Sequence, residues 1–167
     1  MSETDAPPAK ATELVTDVLR SRIGPELRAS GFRGSGQNWS LPSSAKDYAL
    51  LSFQRWRYSD ASVAGFTVNL CVARRAEWAA AFARSPWLGA RPTATSQGGP
   101  AWYSRIGSLL NPAVDRWWIV RSADDVPFVV DDVLHLVRAV AVPHLTARLD
   151  GTAPPGPYSW PRLPDDE

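Results

Sequence analysis

The stretch FQRWRYSDASVAGFTVNL, Phe53 to Leu70, decides the fold. Two runs of strand-forming residues flank the turn cluster Ser59–Ser62, which reads as an antiparallel β-hairpin. In the first arm Ala49, Leu51, Phe53 and Arg55 point one way, and Leu50, Ser52, Gln54 and Trp56 the other. The second arm alternates more cleanly, with Phe66, Val68, Leu70 and Val72 inward and Thr67, Asn69 and Cys71 outward. The run Gln54, Arg55, Trp56, Arg57, Tyr58 is unusually polar for a strand, so the hairpin either binds something or carries one polar face.

Outward from the hairpin, the pattern is helix, strands, helix, strands, helix. A helix is expected from about Ala11 to Ser30, interrupted by Pro25, which should kink or split it. Gly31 suits its left-handed end, with Phe32 folding back onto Leu27. Gln37 to Leu41 reads as a short strand, Ala76 to Ser85 as a short helix, and Trp87 to Pro100 as a long loop. The stretches Ala101–Leu110 and Arg116–Arg121 read as further strands. A last helix opens between Ser122 and Asp125, carries the stripe Val126, Val129, Val130, Val133, Val137 and Val140, and should bend or end near Pro143. The expectation is an α+β domain, an antiparallel sheet of about five strands with N- and C-terminal helices packed on one face and the other face exposed. Residues 1–10 read as a flexible tail, 11–149 as one α+β domain, and 150–167 as a Pro-rich C-terminal tail.

Composition narrows the function classes. The chain has 167 residues and a net charge of +1, and its cations are 16 Arg against 2 Lys, spread over different segments. That balance gives no footprint for nucleic acid and no polybasic stretch for a membrane surface. The single cysteine, Cys71, excludes an internal disulfide, and neither a signal peptide nor a membrane span is read, so a cytoplasmic location is expected. Eight tryptophans are spread along the chain, most within expected strands and helices, where they read as bulky packing.

Catalytic signatures are sparse. The two histidines, His135 and His144, lie on one helix at a spacing that builds no metal site, and no cofactor motif is present. Cys71 reads as a packing thiol, and the acidic pairs Asp124/Asp125 and Asp131/Asp132 as partners of a helix dipole.

The motifs LRASGFR, FQRWRYS, FTVNLCV, SRIGSL and DRWWIV, followed by a long helix with AVPHL, resemble in their order the bacterial family catalogued as domain of unknown function 4304. The resemblance spans about residues 11–149 and implies an α+β domain with no established activity. Gln54, Asn69 and Arg105 match that family's polar positions on three different strands. They supply donors and acceptors but no good general base, and suit an anion, a carboxylate or a peptide edge. Arg57 and Trp117 complete the candidate binding set. No catalytic residue and no cofactor is assigned.

Two readings follow. One is a non-catalytic module that binds another protein, of which a toxin-neutralising immunity protein is an analogue. The other is a small-ligand or anion-binding protein, or an enzyme, using the patch around Arg105 with the 87–100 loop as a lid. A concave pocket at Arg105 favours the second and a flat apolar patch the first. A structural role for Arg105 would instead give it an ion-pair partner.

Overall fold

The computed structural model describes residues 8–159. A six-stranded antiparallel sheet carries helices from both ends of the chain, which makes this an α+β domain. The strands are β1 (Arg33–Ser35), β2 (Asn38–Ser40), β3 (Tyr48–Arg55), β4 (Ala64–Ala73), β5 (Ala101–Arg105) and β7 (Trp118–Val120). They run in the order β1-β2-β3-β4-β5, with β7 pairing the other end of β4. A separate two-residue parallel bridge joins β6 (Leu110–Asn111) to β8 (Tyr158–Ser159).

The β3–β4 hairpin is the spine of the sheet, with Phe53 opposite Val68 and Arg55 opposite Phe66. Asp60 shapes its turn by accepting from the backbone N–H groups of Ser62 and Val63 at 2.7 and 3.0 Å, as a short carboxylate does in an Asx turn. The polar run of the first arm separates by parity. Arg55 faces the helices and donates to Thr16 at 2.9 Å, Gln54 faces the opposite side, and Arg57 and Tyr58 lie exposed in the turn.

Phe66, Val68 and Leu70 are fully buried, as their alternation predicts. The helices directly over β4 are α1 (Ala11–Asp17) and α5 (Val142–Asp150), while α4 (Val126–Leu136) lies over β7. The other face of β4 is not exposed as expected. All ten of its residues are buried, Thr67, Asn69 and Cys71 included. The cover comes from two irregular segments. The loop before β5 is tied by Trp78 of α3 (Arg75–Arg84), whose indole N–H donates to Gly89 O at 3.1 Å. The returning arm of an excursion between β5 and β7 is tied by Thr67, whose hydroxyl donates to Arg116 O at 2.6 Å.

That excursion corrects the expected strand over Ala101–Leu110. The strand stops at Arg105, and Ile106–Leu109 turn as a 3-10 helix that buries Ile106 in the helix-side core. The chain re-enters the sheet at Trp118, so β5 and β7 are two pieces of one interrupted strand along the same edge of β4. Gly107 permits the narrow neck: a Cβ there would stand 2.0 Å from Val114 O. Val114 N–H donates back to Gly107 O at 3.1 Å.

Both terminal helices handle an internal proline in the same way. α1 passes through a π-helical turn, Val18–Ile23, into α2 (Gly24–Ala29), which contains Pro25. α4 passes through a second π-helical turn, Val137–Ala141, into α5, which contains Pro143. Proline lacks an N–H and its ring crowds the carbonyl four residues back, and a widened turn just upstream relieves both conflicts. The last helix therefore continues past Pro143 to Asp150. The N-terminal helix ends as its sequence indicates: Gly31 has φ of 94°, Phe32 N–H donates to Leu27 O at 3.0 Å, and both side chains are buried. At the start of α4, Asp125 accepts from Arg121 N–H at 2.7 Å, which closes the cap around Ser122.

Residues 152–157 are irregular, but Tyr158 packs against the core and its hydroxyl meets His135 Nε2 at 2.7 Å. Trp160 lies outside the described residues. No helix among those described is long and apolar enough to cross a membrane.

Arg74 joins the layers. It pairs with Asp47 at 2.9 Å and donates to the carbonyls of Arg148 and Leu149 at 2.8 Å each, satisfying the C-terminal end of α5. The Arg75 backbone N–H, then Arg74, hold the Asp47 carboxyl below its ordinary range. A depressed folded-state value contributes stability that is complete above about pH 4, the unfolded value, and is lost as pH falls through the folded one. Asp47→Asn should therefore remove part of the acid sensitivity of stability, read from denaturation midpoints between about pH 5 and pH 2. Parallel pH curves for the two proteins would contradict it. Val68→Asp should lower stability by about 3 kcal/mol or more, because the carboxylate has no partner in this core. An unchanged thermal midpoint would refute the burial of Val68.

Candidate functional site

The hairpin register sets the first two polar residues close together. Asn69 stands opposite Ser52 on β3 and opposite Arg105 on β5. Ser52 in turn stands opposite Asn38 on β2, so a row of polar residues, Asn38–Ser52–Asn69–Arg105, crosses four strands on the face away from the terminal helices. The Ser52 hydroxyl donates to Asn38 Oδ1 at 3.1 Å. Gln54 sits one diagonal step from Asn69, and Asn69 Nδ2 donates to Gln54 Oε1 at 2.8 Å. This amide pair uses one N–H and one carbonyl, and leaves further N–H groups and a second carbonyl without a partner among the described residues.

Arg105 ends the row. Its guanidinium donates to Asp115 Oδ1 at 2.8 Å and lies 5.1 Å from the ring centroid of Trp117. The Trp117 indole N–H donates to the other oxygen of Asp115 at 3.1 Å. The indole first, and the guanidinium second, hold the Asp115 carboxyl below its ordinary range. This triad spans the neck of the excursion, so Arg105 has a structural partner that closes a loop.

Gln54, Asn69 and Arg105 nevertheless line one cleft of about 460 Å³. Its other walls include Thr95 and Gln97 from the loop before β5, with Tyr103 and Ser108. The loop is held on both sides: Ala94 is buried, and the Tyr103 hydroxyl donates to Gly98 O at 2.7 Å. Of the other candidates, Trp117 touches the site through Arg105 and Asp115. Arg57 does not join it. The chain leaves β3 at Arg55, and Arg57 lies in the exposed turn with its guanidinium 4.5 Å from the Tyr58 ring. Thr95, Gln97 and Ser108 were not legible as site residues, because only the folding of two irregular segments over the sheet brings them to the cleft.

Among the described residues the lining holds no carboxylate or imidazole. Burial pushes the Tyr103 hydroxyl up to about 12, with the neighbouring Cys71 adding to the rise. Burial likewise pushes the Cys71 thiol up to about 12, so it is protonated at neutral pH and behind the sheet surface. No group of three or more metal-ligating side chains occurs among the described residues. The cleft offers amides, hydroxyls and one guanidinium, a set that recognises polar groups by hydrogen bonding.

The chain is an α+β domain with a polar cleft under irregular loops on the sheet face away from the terminal helices. Residues 23–147 match the family described as Domain of unknown function (DUF4304), and the chain belongs to that family. No curated protein and no solved structure matches it.

The Arg105–Asp115 pair is open to water, with side chains 35% and 61% exposed. Its loss therefore costs less than breaking a buried pair. Arg105→Ala should lower stability by about 0.5–1 kcal/mol in chemical denaturation. A loss above about 3 kcal/mol would show the pair acting as a buried one.

Proposed function

We propose that this domain is a binding protein whose Gln54–Asn69–Arg105 cleft takes a small polar ligand carrying a carboxylate or a comparable cluster of oxygens. The observation that carries the reading is the convergence of the amide pair and the guanidinium in one concavity of about 460 Å³. Arg105 offers N–H groups beyond the one used by Asp115, and a ligand carboxylate there gains charge-assisted hydrogen bonds. The Gln54–Asn69 couple meets the remaining polar atoms with its spare donors and acceptor. Binding is favoured over turnover because, among the described residues, the lining holds no carboxylate or imidazole for general acid–base work.

Protein docking through an apolar patch has weaker support. Trp87 and Phe128 are 78% and 79% exposed, but they lie on different segments, and single exposed apolar residues are ordinary on soluble proteins.

The test is a titration of isotopically labelled protein with amino acids, hydroxy acids and monosaccharides, following the side-chain amide resonances of Gln54 and Asn69. At least one carboxylate-bearing compound should move both resonances, and Gln54→Ala should weaken it about tenfold, the scale of one hydrogen bond whose partner is left unpaired. Silence of both resonances across the panel would overturn the proposal.

A further inference from the structure

The hydrogen-bond parity of the sheet determines what β5 presents to its surroundings. Trp56 N–H donates to Gly65 O, so on the β3–β4 ladder the bonded residues of β4 are the odd ones. In an antiparallel ladder the intervening residues bond to the other side. Leu70 and Val72 therefore turn their backbone groups to Ser104 and Trp102 of β5. It follows that Ala101, Tyr103 and Arg105 direct theirs away from the sheet. No strand among the described residues pairs with that edge, and all five residues of β5 are half-exposed. Ala101 N–H is taken by Gly99 O at 3.0 Å, and Arg105 O by the Ser104 hydroxyl at 3.0 Å. The N–H and carbonyl of Tyr103 and the N–H of Arg105 remain available, as at an open sheet edge.

A cleft flanks this edge on each face of the sheet. On one face is the Arg105 cleft already described. On the helix face, Trp102 carries the Arg148 guanidinium 3.9 Å from its ring centroid, and a second cleft of about 310 Å³ is lined by Val72, Arg74, Glu77, Trp102 and Arg148. Arg74 is committed to Asp47, but Arg148 has no carboxylate within ion-pair distance among the described residues. Its Nη1 has no hydrogen-bond partner there, and burial lowers its pKa.

We propose that β5 accepts an extended acidic segment of another protein as an added strand. The segment's backbone bonds to Tyr103 and Arg105. Side chains alternate across a strand, so the residue opposite Trp102 points toward Arg148, and the residue three positions along, opposite Arg105, points into the other cleft. An Asp or Glu at the first position supplies the counter-charge that Arg148 lacks, and a second acidic or amide residue suits Arg105 and Asn69. Charge also argues against a second copy as occupant. Pairing β5 with β5 would place two Arg148 guanidiniums on the same face of one seam.

The test is selection of binders to the full-length protein from a display library of random twelve-residue peptides, followed by hydrogen exchange and amide-shift mapping. Enriched sequences should carry an acidic residue followed three positions later by an acidic or amide residue. The bound peptide should slow exchange at the Tyr103 and Arg105 amides at least tenfold, and Arg148→Ala should weaken binding at least tenfold without moving the thermal midpoint. A lysine in place of the first acidic residue should abolish binding to the unaltered protein. Failure to enrich any sequence, enrichment without acidic residues, or protection elsewhere on the sheet would overturn the proposal. So would concentration-dependent protection of Tyr103 and Arg105 in the free protein, since the occupant would then be a second copy. Small-ligand binding is read with free small molecules, and strand addition on the Tyr103 and Arg105 backbone amides and the Arg148→Ala variant, so either proposal can fail while the other stands.

Discussion

The burial of β4 on both faces is the constraint on which the rest of the molecule depends. A strand covered on both faces has no water to satisfy its backbone, so both edges must be paired. β3 takes one edge through an eight-residue register, and β5 with β7 takes most of the other. Hydrophobic cover is simple on the helix side, where Phe66, Val68 and Leu70 lie under α1 and α5. On the other side the strand presents Thr67, Asn69 and Cys71, two of which need hydrogen-bond partners once buried. Thr67 finds the Arg116 carbonyl and Asn69 finds the Gln54 amide. The candidate site is the place where this polar cover stays incomplete and leaves a concavity instead of a packed layer.

Much of this was legible in the sequence, and the parts that were not share a physical reason. The end of the N-terminal helix at Gly31 and Phe32 is a local matter of one backbone conformation and one contact, so the residues reveal it. The hairpin is similarly local, and its parity assigns Gln54 and Asn69 to one face. The length of β5 is not local. It ends at Arg105 because Asp115 and Trp117 return to that side chain and Gly107 lets the two arms of the neck approach. Periodicity in the run Ala101–Leu110 contains nothing about Asp115. The two prolines mark where each α-helix is interrupted, but the π-helical turn that carries the chain through to the next helical segment leaves no mark in composition. Arg57 does not reach the cleft because β3 ends at Arg55 and the next residues turn away, which alternation alone does not reveal.

The chemistry of the cleft follows from what the fold leaves there. Arg105 holds the neck of the excursion closed through Asp115 and still faces Asn69, so one residue serves structure and lines the site. Tyr103 and Cys71 are adjacent across the β4–β5 ladder, and burial keeps both protonated. The described lining is a wall of amides and hydroxyls with one guanidinium already paired to Asp115.

Native-state hydrogen exchange along β4 tests the central claim most directly. If β4 is paired on both edges and covered on both faces, the amides of Phe66 to Val72 should exchange only through global unfolding, with free energies equal to that from chemical denaturation. The outward amide of Tyr103 should exchange through smaller openings. Exchange of the Thr67, Asn69 and Cys71 amides at a free energy well below the global value would contradict the account, because it would mean that the irregular cover opens apart from the sheet.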